Sequence, residues 1–149
     1  MNALDKITVE VKTGPRKKVC YIGAPACFAL EQALKHVHDA FDEDGNFGIY
    51  IVGSCLERAD WRDVDVRMIL SDHAFEQLFP RAFSTNATWE FDPRWTLMTI
   101  AISKWLSAET GLPIDFQIQP QTFANERHKG PRHAAGLRYV QRPVNEAAE

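Results

Sequence analysis

The chain predicts an α/β (α+β) domain, a small mixed β-sheet with helices packed on it. Two stretches, Ala26 to Phe41 and Asp92 to Ala108, carry apolar residues at helical spacing. Three short runs, Phe47 to Val52, Val64 to Leu70 and Ile114 to Ile118, are rich in β-branched and aromatic residues or alternate apolar with polar. With the N-terminal segment included, the order is strand pair, helix, strand, turn, strand, helices, strand.

Ile7 to Val11, ITVEV, alternates and reads as a short strand broken by Gly14-Pro15. Lys17 to Ile22 reads as a second strand, able to form a hairpin with the first. Within Ala26 to Phe41, the residues Phe28, Ala29, Leu30, Ala33, Leu34, Val37 and Phe41 form one apolar face, and Asp44-Gly45-Asn46 stops the helix. Phe47 to Val52, FGIYIV, reads as a buried strand. Gly53-Ser54 follows, with a short helical turn over Cys55 to Ala59, and Val64 to Leu70 is the next strand. Ser71 or Asp72 caps a short helix through Leu78, ended by Pro80. Residues 81–91 read as a loop.

Asp92 as N-cap and Pro93 at the first helical position start a helix through Ala108, with Leu97, Ile100, Ala101, Lys104, Trp105 and Ala108 on related faces. Gly111 ends it, and Pro113 blocks its continuation. Ile114 to Ile118, IDFQI, reads as a half-buried strand. Beyond Pro120 the pattern fades: NERHKGPRHAAGLRY is basic and loop-like, and residues 140–149 read as a frayed tail.

A chain of 149 residues is long enough for one domain with a substantial hydrophobic core. A net charge of −3 argues against a protein whose main task is gripping a phosphate backbone, though it leaves room for a local basic site. Cys20, Cys27 and Cys55 are an odd set without regular spacing, neither a disulfide framework nor a CxxC zinc signature. A reducing cytoplasm is the expected location. No apolar signal segment opens the chain, and no run approaches the ~20 residues that span a bilayer, so no membrane partner is expected.

The chemistry concentrates between residues 51 and 70, IVGSCLERADWRDVDVRMIL. On a strand, positions i and i+2 share a face, so Asp63 and Asp65 are expected side by side while Val64 and Val66 enter the core. Neighbouring carboxylates raise one another's pKa, and a divalent cation reverses that penalty. One or two carboxylates completed by water and phosphate oxygens are the usual Mg²⁺ arrangement. Gly53 lets the backbone approach a ligand, while Ser54 and free N–H groups of the following turn are suited to phosphate. Asp115, a lone acid in an apolar strand, would complete the set if its strand lies beside that of Asp65. Two metals could then bridge the three acids. Arg67 falls on the face of Asp63 and Asp65, able to pair with them or with phosphate.

The run Val52-Gly53-Ser54, eight residues, then Asp63-Val64-Asp65-Val66 resembles the signature of the DNA polymerase beta-like nucleotidyltransferase superfamily. That family adds a third acid on a later strand, which Ile114-Asp115-Phe116 fits. The resemblance covers about residues 26–119 and looks most like the minimal nucleotidyltransferases. It implies a single nucleotidyltransferase-like domain over residues 1–149, with Gly53 and Ser54 on the triphosphate of an NTP and Asp63, Asp65 and Asp115 as ligands of two Mg²⁺ ions. Asp115 would also help deprotonate the attacking hydroxyl. Arg58 is nearest to an Arg that many members carry after Gly-Ser. The turn departs from many relatives: it lacks a Gly and carries Glu57 and Asp60.

The activity so implied is transfer of NMP from an NTP, such as ATP, to a hydroxyl on a small molecule, a protein or an RNA end, with release of pyrophosphate. The alternative is a non-catalytic nucleotide- or partner-binding module of the same fold, antitoxin-like, with a protein partner. Each candidate also has a plainer reading. Asp63 and Asp65 would suit the solvent face of an edge strand, and Asp115 a salt bridge. Arg127, Lys129, Arg132 and Arg138 would either clamp an anion or form a solvated cluster. Cys55 reads as a small buried hydrophobe, and His128 and His133 as solvated loop residues.

Overall fold

A computed structural model describes residues 20–41, 47–83 and 89–136. Its elements are α1 (Ala24–Phe41), β1 (Phe47–Val52), β2 (Val64–Leu70), α2 (Asp72–Leu78), α3 (Pro80–Phe83), α4 (Pro93–Thr110), β3 (Ile114–Pro120), α5 (Gln121–Arg127) and β4 (His133–Ala134), with 3₁₀ turns at Ser54–Leu56 and Trp89–Phe91. The class is α+β, as expected. The strand order is β3-β2-β1-β4, with β2 and β3 parallel and the other pairs antiparallel. A parallel neighbour needs a long crossover, and α2 to α4 supply it.

Period-two alternation divides the sheet into two faces. Ile49, Ile51, Val64, Val66, Met68, Ile114, Phe116 and Ile118 are buried on one, joined by Leu30, Leu34 and Val37 of α1, Phe75 of α2 and Leu106 of α4. The register sets Ile51, Val66 and Phe116 in one row, and Ile49, Met68 and Ile118 in the next. The other face carries Tyr50, Asp65, Arg67, Asp115 and Gln117. α5 contacts β2 and β3, and the segment after it crosses this polar face, with the Arg132 guanidinium 5.9 Å from the Tyr50 ring centroid.

Helix α4 buries a different stripe from the one its apolar residues suggest. Leu97, Ile100 and Trp105 are exposed, whereas Trp95, Thr99 and Leu106 are buried. The cause is β3, whose outer edge has no strand partner among the described residues. Ser103 Oγ accepts from Phe116 N at 3.0 Å and donates to Phe116 O at 3.3 Å. Ser107 Oγ accepts from Ile114 N at 3.2 Å, and Trp95 Nε1 donates to Ile118 O at 2.9 Å. Side chains of α4 thus take the place of a neighbouring strand, and small hydroxyls reach those backbone groups where Leu cannot.

Several segments differ from expectation. Residues 20–22 are not a strand; they are tied to the connection between β1 and β2 by Tyr21 N to Cys55 O at 2.8 Å and Trp61 Nε1 to Tyr21 O at 3.1 Å. Pro80 opens α3 rather than only ending α2, since its missing N–H is no loss in a first turn, and residues 89–91 form a 3₁₀ turn. Helix α4 runs two residues further, to Thr110, where Gly111 at φ 70° ends it. Past Pro120 the chain forms α5 and β4 rather than a loop. The start of α5 is capped by the distant Asp72, whose Oδ1 accepts from Thr122 N at 3.0 Å and whose Oδ2 accepts from the Thr122 hydroxyl. The expected strand Ile7–Val11, the Asp44-Gly45-Asn46 stop, Arg138 and the tail lie outside the described residues.

Candidate functional site

The parallel pairing of β2 with β3 sets Asp65 directly beside Asp115, and β1 sets Val52 on the other side of Asp65. Neighbouring residues in register project to one face, so the two carboxyls share the polar face. Asp63 does not stand on the strand. β2 begins at Val64, and Asp63 precedes it in the exposed connection. The three acids therefore sit as a pair on the sheet with a third at its mouth.

Arg67 lies one step along β2 on the same face and is buried. Its Nη1 donates to Asp115 O at 2.8 Å and to Val66 O at 3.1 Å. Its Nη2 lies 3.3 Å from Asp115 Oδ2 and 3.8 Å from Asp65 Oδ1. One guanidinium thus bridges both strand acids, while its Nε has no acceptor among the described residues. Burial pushes the Asp65 carboxyl above its usual range. Arg67 opposes that rise, Asp115 and Asp63 add to it, and His128 opposes it more weakly.

Gly53 links this row to the turn. At φ 83° and ψ −156° it occupies a conformation essentially restricted to glycine. A Cβ at this position would overlap Asp65 Oδ2 and lie 3.4 Å from its Cγ. Glycine therefore lets the Ser54 turn close against the carboxylate. The turn's own amides are largely committed: Leu56 N donates to Gly53 O, and Glu57 N and Arg58 N to Ser54 O. The expected backbone cradle is correspondingly narrower, which leaves the Ser54 hydroxyl and the Arg58 side chain to serve it. Arg58 pairs with Asp60 at 3.7 Å, both side chains mostly exposed, so the pair is weak.

Two open cavities meet at Asp65. One, of about 390 Å³, is lined by Ser54, Arg58, Asp60, Arg62, Asp63 and Asp65. The other, of about 270 Å³, has Gly53, Asp65 and Arg67 on its sheet side and residues 127–132 opposite. The first gathers the Gly-Ser turn and two of the expected acids. Comparison of the chain with protein-family models, curated proteins and solved structures finds no match.

The donors suit a hard divalent cation in kind. Among the described residues no three His, Cys, Asp or Glu side chains form a closed cluster. Mg²⁺ does not require one, because one or two carboxylates with water and phosphate oxygens complete its shell. Asp65 and Asp115 on the sheet, with Asp63 at the mouth, are the carboxylates that would hold it. Burial first, and then the two neighbouring acids, raise Asp65, and a cation would oppose both effects. Cys55 follows Ser54 but is no nucleophile: it is fully buried, and burial first of all pushes its thiol to about 11.

The sequence leaves Arg127, Lys129 and Arg132 open between an anion clamp and a solvated cluster, and reads His128 as a solvated loop residue; in the structure all four line the second cavity. The clustering of cations within six positions was the available signal; their return to the sheet was not. Among the described residues, no helix is long and apolar enough to cross a membrane.

Proposed function

We propose that the protein transfers the NMP group of an NTP to an acceptor hydroxyl, releasing pyrophosphate, as a Mg²⁺-dependent, cytoplasmic enzyme of the DNA polymerase beta-like nucleotidyltransferase superfamily. The observation that carries the reading is the in-register pair Asp65–Asp115 on parallel strands, with the Gly53 backbone closed against Asp65. Three free thiols suit a reducing compartment.

In this reading the acceptor oxygen attacks the α-phosphorus, the bond from that phosphorus to the bridging oxygen breaks, and pyrophosphate leaves. Asp63, Asp65 and Asp115 would hold Mg²⁺, which supplies charge neutralisation of the phosphates and a lower pKa for the acceptor hydroxyl. Asp115, its side chain about half exposed, receives the hydroxyl proton. Arg67 fixes the Asp115 backbone and carboxylate so that the acid does not swing away. Ser54 and Arg58 orient the leaving phosphates from the rim of the larger cavity.

The test is thermal unfolding with each NTP and Mg²⁺, on the native chain and on Asp63→Asn/Asp65→Asn, followed by pyrophosphate release with candidate acceptors. Ligand at 100 times Kd stabilises by about 2.7 kcal/mol, a plainly measurable shift. The reading requires a Mg²⁺-dependent shift that the double variant loses.

A second reading has one observation in its favour. Leu97 (71 % exposed), Ile100 and Trp105 make an exposed apolar stripe on α4, and such stripes mark contact surfaces. A non-catalytic, antitoxin-like module that binds a protein partner would show no NTP shift and would copurify with that partner.

A further inference from the structure

Arg127 at the end of α5, and His128, Lys129 and Arg132 in the connection from α5 to β4, face Gly53, Asp65 and Arg67 across the smaller cavity. Arg132 is held in place. It donates to Ala124 O at 3.0 Å, His128 O at 3.2 Å and Asn125 Oδ1 at 3.2 Å, and lies over Tyr50. All of these partners are neutral. The Arg127 guanidinium lies 5.4 Å from the Phe123 ring centroid, another neutral partner. Among the described residues, no carboxylate lies within salt-bridge distance of Arg127, Lys129 or Arg132. Glu57 and Asp65 are the cavity's two acids, and Asp65 is already faced by Arg67.

A solvated cluster would leave its cations free to spread. Here one guanidinium is fixed by three hydrogen bonds, and Pro131 restricts the backbone just before it. One fixed guanidinium, with two further cations beside the same cavity that have no carboxylate partner among the described residues, makes a site suited to an anion. The Ser54–Arg58 side of Asp65 already has groups suited to an NTP, and the basic side is a second cavity that adjoins it at Asp65. An anion seated there would bring whatever is attached to it up to Asp65.

We infer that this second cavity binds a phosphate carried by the acceptor, so that the acceptor is a phosphorylated alcohol: a nucleic-acid strand end or a phosphorylated small molecule. The acceptor role rests on the nucleotidyl-transfer reading; the anion site itself does not. Calorimetric titration of the full chain, without NTP or Mg²⁺, with a 5′-phosphorylated trinucleotide and with a sugar phosphate tests it. The variants are Arg127→Gln, Lys129→Gln and the double substitution. These positions are exposed, so folding is expected to survive, and unfolding curves check that.

Each single substitution should weaken phosphate binding about tenfold; the dephosphorylated sugar should not bind, and the trinucleotide without its 5′-phosphate, which keeps its phosphodiesters, should bind more weakly than the phosphorylated one. Tighter binding of the trinucleotide than of the sugar phosphate assigns a strand end, with a salt slope that falls by about 0.7 per cation removed; the reverse assigns a small molecule. If neither probe binds the native chain, or the double variant binds as tightly as the native chain, the inference is overturned while the NTP result stands. If the double variant also loses the Mg²⁺–NTP shift, the cavity belongs to the donor's triphosphate and the acceptor assignment is overturned. If phosphate binding follows the cations but no NTP binds the native chain, the anion site is upheld and nucleotidyl transfer is what fails.

Discussion

Replacing Gly53 by Ala tests whether the close approach of the turn to Asp65 shapes the site. Two separable penalties are expected. The first is conformational: φ 83° with ψ −156° costs a residue bearing a Cβ about 1–3 kcal/mol. At about 2–4 °C per kcal/mol for a chain of this size, the melting temperature should fall by roughly 2–12 °C. The second is steric: the new Cβ overlaps Asp65 Oδ2, so the carboxylate must turn away or the turn must lift. A retreat of roughly an ångström at a reacting centre costs on the order of 100-fold in rate, and Mg²⁺–NTP binding should weaken with it. The double-mutant cycle with Asp65→Ala separates the two. With the carboxylate gone only the backbone penalty remains, so Gly53→Ala should cost on the order of 1 kcal/mol less in that background. Chemical denaturation of the four proteins gives the cycle. If Gly53→Ala melts with the native protein, or costs the same in both backgrounds, the contact does not constrain the site and the reasoning fails.

Asp65→Asn tests the electrostatics. Burial and neighbouring acids raise Asp65 in the folded chain above its ordinary 3.8, so the folded state holds this proton more tightly than the unfolded one. Its favourable contribution is present below pH 3.8 and is lost as pH rises through the folded value. The Asn variant should therefore melt above the native protein at pH 7 and converge with it towards pH 3.8; a lower melting temperature at pH 7 contradicts the assignment. Arg67→Gln removes the bridging charge and should cost about 2 kcal/mol in urea denaturation, with millimolar Mg²⁺ restoring more stability to the variant than to the native chain. Equal Mg²⁺ effects on the two would mean that no cation replaces the guanidinium. Asp92→Ala removes the acceptor for Arg94 N at 2.8 Å and Trp95 N at 3.2 Å, and should cost about 1–2 kcal/mol without altering NTP binding. Cys55, buried and pushed to about 11, should resist maleimide in the native state at pH 8 and react once denaturant is added. Labelling as fast as Cys20 would show that the turn opens readily.

What could be read along the chain was whatever carries its partners nearby. Val64–Leu70 emerges with its observed bounds because its apolar content and both ends are local signals. Asp92 is recognisable as a cap because the amides it accepts lie two and three residues ahead. The Gly53–Arg67 half of the site is likewise written in one stretch, and its link to Asp115 needed only adjacency of two strands. The rest depends on groups far apart in sequence. Helix α5 is capped by Asp72 fifty positions earlier, so no window around Gln121 contains the cap. The buried stripe of α4 follows the edge of β3, where Ser103 and Ser107 do work that an apolar pattern assigns to Leu97 and Ile100. β4 pairs with β1, which returns the basic segment to the sheet beside Gly53. These omissions share a cause: backbone polar groups are satisfied wherever the fold brings a partner, and hydrophobic periodicity does not record that. The same division runs through the proposed site. Most of its acidic half is encoded locally, whereas its basic half is set by α5 against β2 and β3 and by β4 against β1. A substitution that unpairs β4 should therefore weaken binding of the phosphorylated acceptor, read by the same calorimetric titration, while leaving Asp65, Asp115 and the Ser54 turn in place.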